Sequence, residues 1–228
     1  MTIPIVRRVF PPTPTQARAL VLRAHPLRDS FNSALADHWI AGAEATGLTV
    51  SQLDLSAMEF DPVLDSAYRA DQPLEPDLQR FQCELAAASH VVLAFPVWWG
   101  STPGKLKGLF DRALLPGWAY ASNGSGLPDK GLGGRSARLL VTMDGPTWYD
   151  RLLYGASARR QVGRATLKFC GITPVRMSAF GSIGTSTAEK REAMLSKAES
   201  AGRGDARKLL ARFDQSAATT PSLASHSS

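Results

Sequence analysis

The chain has 228 residues, enough for one domain with a full core, and no stretch approaches the roughly 20 consecutive apolar residues of a membrane span. Its net charge of +6 comes from Lys and Arg that are scattered, and no groove-reading module is visible, so neither nucleic-acid binding nor membrane insertion is expected. Cys83 and Cys170 stand far apart inside apolar patterns without metal spacing, which reads as two buried, reduced thiols in a cytoplasmic protein and leaves no metal site.

The first 17 residues hold Pro11, Pro12 and Pro14 and lack the apolar core of a secretory signal. They read as a flexible arm. Ala19 to Ala24 is a first strand, and Ser30 or Asp29 caps the helix behind it, whose apolar positions run from Phe31 to Ala43 before Gly47. His25, Ser30, Phe31 and Asn32 therefore sit where free backbone N–H groups meet a helix N-terminus, a physical recipe for holding phosphate. Leu48 to Leu53 alternates as an edge-like second strand, and Leu78, Phe81, Leu85 and Ala88 mark a further helix.

Val91 to Phe95 is a continuous apolar run, the pattern of a parallel strand buried on both faces, and Pro96 ends its ladder. Val97-Trp98-Trp99-Gly100 follows, with Pro103 placed as the first residue of a helix whose core face is Leu106, Leu109, Phe110, Ala113 and Leu114. Ala119 to Gly134, rich in Gly, Ser and Asn but without a GxGxxG or Walker pattern, reads as a flexible excursion. Ala137 to Thr142 is a fourth strand ending in the small and aromatic loop Met143 to Tyr149. A helical stretch then leads to Cys170, Pro174 to Phe180 is a fifth strand, and a charged helix closes the domain from Ala188 to about Phe213. The domain is expected over 18–214, with a disordered tail over 215–228.

Strands alternating with helices predict an α/β, flavodoxin-like three-layer fold with a five-stranded parallel sheet of order 2-1-3-4-5. That order brings a phosphate loop, an aromatic loop and a small-residue loop into one crevice. A flavin, with a phosphate tail and a planar ring, fits all three.

The residues carry a resemblance. A-H-P-x-x-x-S-F-N-x-A-L at Ala24 to Leu35, D-L-x-A-M-x-F-x-P at Asp54 to Pro62, F-P-x-x-W-x-x-x-P-x-x-L-K-G-x-x-x-R at Phe95 to Arg112, A-Y at Ala119-Tyr120 and F-C-G-I at Phe169 to Ile172 occur in order. Together they resemble the flavodoxin-like NAD(P)H:quinone oxidoreductases of the DT-diaphorase type.

The resemblance implies that His25, Ser30, Phe31 and Asn32 hold the flavin phosphates and ribityl chain. Pro96, Val97, Trp98 and Trp99 would pass along the isoalloxazine with backbone N–H groups near N5 and O4, and Thr142, Met143 and Gly145 would meet its pyrimidine edge. Tyr149 and Trp99 would wall the slot shared by hydride donor and acceptor, Tyr120 would reach a neighbouring subunit's pocket, and Arg191 matches a residue near the adenine of FAD. The implied activity is a two-electron, ping-pong hydride transfer from transient NAD(P)H to a quinone-like molecule, in a homodimer with the site at its interface. The implied cofactor is FAD, with FMN as the alternative.

Two departures stand out. Asp144 replaces a small residue beside a ring that becomes anionic on reduction, and no histidine follows Tyr149, so the acid would be Tyr149, Tyr154 or water. Two other readings are a flavin-binding regulatory subunit of a potassium-efflux transporter, as some relatives are, and a one-electron carrier. The positive charge and the missing Thr-rich phosphate loop count against the last.

Overall fold

The structure is a computed structural model and describes residues 8–65, 67, 72–124 and 126–219. In chain order the elements are β1 (Arg18–Arg23), α1 (Phe31–Glu44), β2 (Thr49–Asp54), α2 (Pro76–Ala87), β3 (His90–Pro96) and α3 (Gly104–Ala113). A two-residue hairpin, β4 (Tyr120–Ala121) and β5 (Asp129–Lys130), precedes β6 (Ser136–Thr142) and α4 (Thr147–Leu153). A π-helix spans Arg159–Lys168, followed by β7 (Val175–Phe180) and α5 (Ala188–Thr219).

The main sheet is parallel with order β2-β1-β3-β6-β7, which is the expected 2-1-3-4-5 once the hairpin strands are set aside. β3 is buried along its whole length, as its unbroken apolar run requires of a central strand with helices on both faces. One core layer lies under α2, α3 and the π-helix, around Leu93, Phe95, Leu106, Leu109 and Val162. The other lies under α1 and α5, around Val21, Leu35, Trp39, Val92 and Leu140. Pro96 ends β3 as expected, at its last register position opposite Thr142, a place that asks no N–H of it.

α1 and α5 touch backbone to backbone. A Cβ on Gly42 would overlap the Glu199 carbonyl, and one on Gly202 the Trp39 carbonyl, so only glycine permits this approach. The contact carries a buried polar cluster at the end of the sheet away from the ligand loops. Asp205 accepts hydrogen bonds from the Arg138 guanidinium at both oxygens and from Trp39 Nε1 at 3.3 Å, while Arg138 Nη1 donates to Ser178 Oγ at 2.9 Å. His90 stacks on Trp39 and shares a hydrogen bond with Ser136 Oγ at 2.8 Å. Its Nε2 stands 3.6 Å from Asp205, beyond hydrogen-bonding reach.

Several expectations are corrected. From Arg8 onward the arm expected over 1–17 is pinned: Arg8 pairs with Asp129 at 2.6 Å, and Val9 N–H donates to Gly117 O at 2.8 Å. Arg135 lies fully buried with no carboxylate partner and donates to the carbonyls of Pro12, Leu85, Ala86 and Gly133. Burial pulls its pKa down to about 10. The Pro-rich stretch is thus held because one of its carbonyls completes the shell of a buried cation. The excursion over 119–134 is a hairpin with Gly131 N–H on Ala119 O and Leu132 N–H on Cys170 O, Ser125 lying outside the described residues.

α5 continues to Thr219, through part of the expected tail, and 220–228 lie outside the described residues. Cys170 is buried, and burial pushes its thiol up to about 12, so it is inert. Cys83, expected inside, is exposed on α2.

Candidate functional site

The first wall of the site is the turn between β1 and α1. Ala24 N–H extends the ladder to Ala94 O, and the chain then leaves the sheet through His25. Ser30 is the N-cap, with extended backbone and its hydroxyl accepting from Ser33 N–H at 3.2 Å. The Ser30 carbonyl takes the Ala34 N–H, so the amides of Phe31 and Asn32 precede the helix's own ladder. No acidic side chain occupies the first turn, which leaves the positive end of the helix dipole to an anion. His25 Nδ1 stands 3.0 Å from Leu27 N and 3.1 Å from Leu27 O, so the ring is held against this turn in either tautomer while Nε2 is left to the cleft side.

The second wall follows β3. Val97 N–H donates to Thr142 O at 2.8 Å, and Trp98 and Ser101 exchange both backbone hydrogen bonds at 2.9 Å. Trp99 (φ 53°) and Gly100 (φ 67°) are the two central residues of this tight turn, both left-handed, as in a type I′ hairpin. The resemblance put backbone donors along Pro96, Val97, Trp98 and Trp99; the N–H groups of Val97 and Trp98 are spent on the fold and Pro96 has none. The amides that the turn leaves free are those of Trp99 and Gly100.

Glycine or asparagine ordinarily takes the Trp99 position. A bulky residue there costs about 1 kcal/mol or more, and the Trp99 side chain is fully exposed, recovering nothing by packing. Trp99→Asn is therefore expected to raise the unfolding free energy by about 0.5–1.5 kcal/mol in urea denaturation. A loss of stability would show that the side chain is held by contacts within the subunit.

The third wall follows β6. Met143 N–H donates to Phe180 O at 3.0 Å and Ile183 N–H to Met143 O at 3.3 Å, which brings the segment after β7 to the same edge. The three walls enclose a cleft of about 300 Å³ lined by His25, Ser30, Phe31, Asn32, Pro96, Val97, Trp98, Thr142 and Met143 among the expected residues. His25 meets Trp98 edge to face at 5.8 Å between centroids. Asp29, Asp144 and Ile183 complete the lining. Ile183 was missed, although a lone apolar residue among Gly181, Ser182 and Gly184 just past a strand's carboxyl end was the available signal.

Trp99, Gly145, Tyr149 and Arg191 do not line this cleft. Tyr149 stacks edge to face on Trp148 and on Tyr154, whose ring borders Gly100, so these aromatics form a rim beside the Trp98–Ser101 turn. Tyr154 belongs to this rim rather than to helix packing alone. Arg191 acts one step away: its Nη2 donates to Ile183 O at 3.2 Å and its Nε to Ser186 Oγ at 2.9 Å. Tyr120 is half-buried against Phe169, with ring centroids 5.0 Å apart. Arg112, the last residue of the long motif, is buried and serves structure, holding Glu75 and the carbonyls of Asp61 and Pro73.

One atom tests whether a polar cofactor fits. Asn32 is 3% exposed; its Oδ1 accepts from Thr142 Oγ1 at 2.9 Å, yet its Nδ2 has no hydrogen-bond partner. A buried amide left without an acceptor costs about 1–3 kcal/mol, so a cleft built with one is built to receive an acceptor. A phosphate, ribityl hydroxyl or ring carbonyl of a flavin would supply it.

The fold that carries this site has known relatives. The family model for the flavodoxin-like fold matches residues 17–201. Rat NAD(P)H dehydrogenase (quinone) 1 is 29% identical over 203 residues, covering 78% of this chain and 73% of that protein. The NAD(P)H:quinone oxidoreductase of Methanothermobacter marburgensis superposes with a TM-score of 0.71 at 26% identity over 82% of this chain and 98% of its own. An FMN-dependent NADH-azoreductase of Bacillus anthracis in complex with FMN shares the fold, with a TM-score of 0.65 at 18% identity over 84% of this chain and 100% of its own. The chain belongs to the flavodoxin-like NAD(P)H:quinone oxidoreductase family.

Proposed function

We propose that this flavin-dependent NAD(P)H oxidoreductase transfers two electrons from NAD(P)H to a quinone-like acceptor, both reactants using one slot in turn. The observation that carries the reading is the convergence of the capped turn at Ser30, the aromatic turn at Trp98 and the Thr142–Asp144 loop on one cleft, with the Asn32 amide unpaired inside it. When bound, the flavin supplies the redox chemistry, accepting a hydride from the nicotinamide and returning two electrons to the acceptor.

The chain's own residues bind and orient. His25, Ser30 and the first-turn amides of α1 hold the phosphate end, and the amides of Trp99 and Gly100 offer donors along the ring edge. Trp99 and Tyr149 give flat walls to planar reactants, and the Tyr149 and Tyr154 hydroxyls or water supply the proton. Asp144 lines the cleft and opposes negative charge on a reduced ring, so it lowers the reduction potential. FAD is favoured because Arg191 braces Ile183, which carries the lining towards the start of α5; FMN is the alternative.

A homodimer is in keeping with exposed Trp99, Trp148, Leu152 and Leu153 beside the site, and Tyr120 would enter the partner's pocket. Among the described residues no helix is long and apolar enough to cross a membrane, and a cytoplasmic location is part of the proposal.

Heat release of the yellow cofactor and its identification by mass, followed by menadione reduction with NADH and NADPH, tests the reading. Parallel double-reciprocal lines are expected, and the Trp99→Asn variant should lose at least tenfold in kcat/KM while keeping its flavin. A protein that stays colourless with added FMN and FAD, or lines that intersect, would refute it.

A further inference from the structure

A second cavity lies on the other side of the edge strand β7, between it and the π-helix. It measures about 250 Å³ and is lined by Arg159, Arg160, Arg164 and Lys168 around a floor of Gly163, Val175 and Met177. No carboxylate lines it. None of the four cations joins an ion pair or a side-chain hydrogen bond among the described residues.

Six arginines elsewhere, Arg8, Arg18, Arg23, Arg112, Arg138 and Arg203, meet carboxylates, and the buried Arg135 is shelled by carbonyls. Here Arg160, Arg164 and Lys168 recur every fourth residue, a spacing that sets like charges side by side on a helix and destabilises it. A solvated helix face would intersperse glutamates. The winding adds to the case, since π-helical turns gather at functional sites and this one faces all four cations into the same groove. Gly163 lies in the floor beside Val175, where an added Cβ would meet Val175 Cγ1 at an ordinary contact distance of 3.5 Å.

We propose that this groove binds the diphosphate group of a small ligand. Arginine forks grip phosphate oxygens bidentately, and cations spaced along successive turns suit an elongated anion better than a single phosphate. The volume is too small for a whole dinucleotide, so any nucleoside attached to the diphosphate would project outward over the exposed edge. The groove shares no residue with the flavin cleft.

The test is isothermal titration of the flavin-loaded, full-length protein with inorganic pyrophosphate and with ADP at constant ionic strength, with sulfate as comparator. Loading the flavin first keeps the His25 turn from contributing. One saturable site is expected, weakened at least tenfold in an Arg160→Gln/Arg164→Gln variant that retains flavin and menadione turnover. If that variant misfolds, Arg164→Gln/Lys168→Gln is to show the same loss. ADP binding at least tenfold tighter than pyrophosphate would assign the diphosphate to a nucleotide, and equal binding to free polyphosphate; both support the proposal. Binding no tighter than sulfate, or binding that both variants leave unchanged, would overturn it.

Discussion

Replacing Asp205 with Ala is expected to lower the unfolding free energy by about 3–5 kcal/mol, the usual result of breaking a buried ion pair. The carboxylate is 4% exposed and is the one group to which α1, β6 and α5 all turn, through Trp39, Arg138 and Asp205 itself. Alanine would leave the Arg138 guanidinium, 11% exposed in its side chain, without its counter-charge. In a domain of this size the loss corresponds to about 6–20 °C in melting temperature.

The pH dependence has a definite sign. Burial raises the Asp205 pKa, but hydrogen bonds from Arg138 and the charges of Arg138 and His90 outweigh it and hold the carboxyl well below the usual carboxylate range. A carboxylate lowered on folding stabilises above its unfolded pKa of about 3.9 and loses that contribution as pH falls further. Wild-type stability should therefore drop steeply below about pH 4, and Asp205→Asn, already weakened at pH 7, should drop less. The double replacement Arg138→Leu/Asp205→Leu is expected to recover part of the loss, since it leaves no charge stranded. Urea denaturation across pH 3–7 reads all three. Equal acid slopes in wild type and Asp205→Asn would move the origin of acid unfolding elsewhere.

None of that cluster was legible in the sequence. Trp39 and Asp205 are separated by 166 positions, and no local period links His90, Arg138 and Asp205. What was legible is whatever the chain writes locally. The apolar run of β3 marked a central strand, Ser30 marked the start of α1, and alternation of elements gave the sheet order. Composition misled where tertiary contacts overrode it. Prolines and glycines suggested loose chain at Pro12 and Gly131, yet the carbonyl of the first completes the Arg135 shell and the close packing of the second, against Trp118 O, closes the hairpin. At the site, residue types were readable but hydrogen-bond occupancy was not. The pattern named Pro96 to Trp99, while the ladder and the turn decide that Val97 and Trp98 spend their amides and that those left free are of Trp99 and Gly100. Asp144 stood out as a departure and does line the cleft.

Asn32→Leu separates the demands of the cofactor from those of the fold. Leucine is close in volume and removes the amide that has no partner, which favours the empty protein, while Thr142 loses its acceptor, which disfavours it. The two nearly offset, so the flavin-free stability should change by no more than about 1 kcal/mol. With flavin bound the balance differs, because the same amide then has an acceptor and its loss costs about 1.5–3 kcal/mol where that acceptor is charged. Flavin affinity should fall roughly 10- to 100-fold, read as quenching of flavin fluorescence on titration into stripped protein. The difference between the two readouts identifies the role. A variant that binds flavin as tightly as wild type would show that Asn32 does not face the cofactor, and one that unfolds without it would make Asn32 a structural residue whose open amide has another explanation.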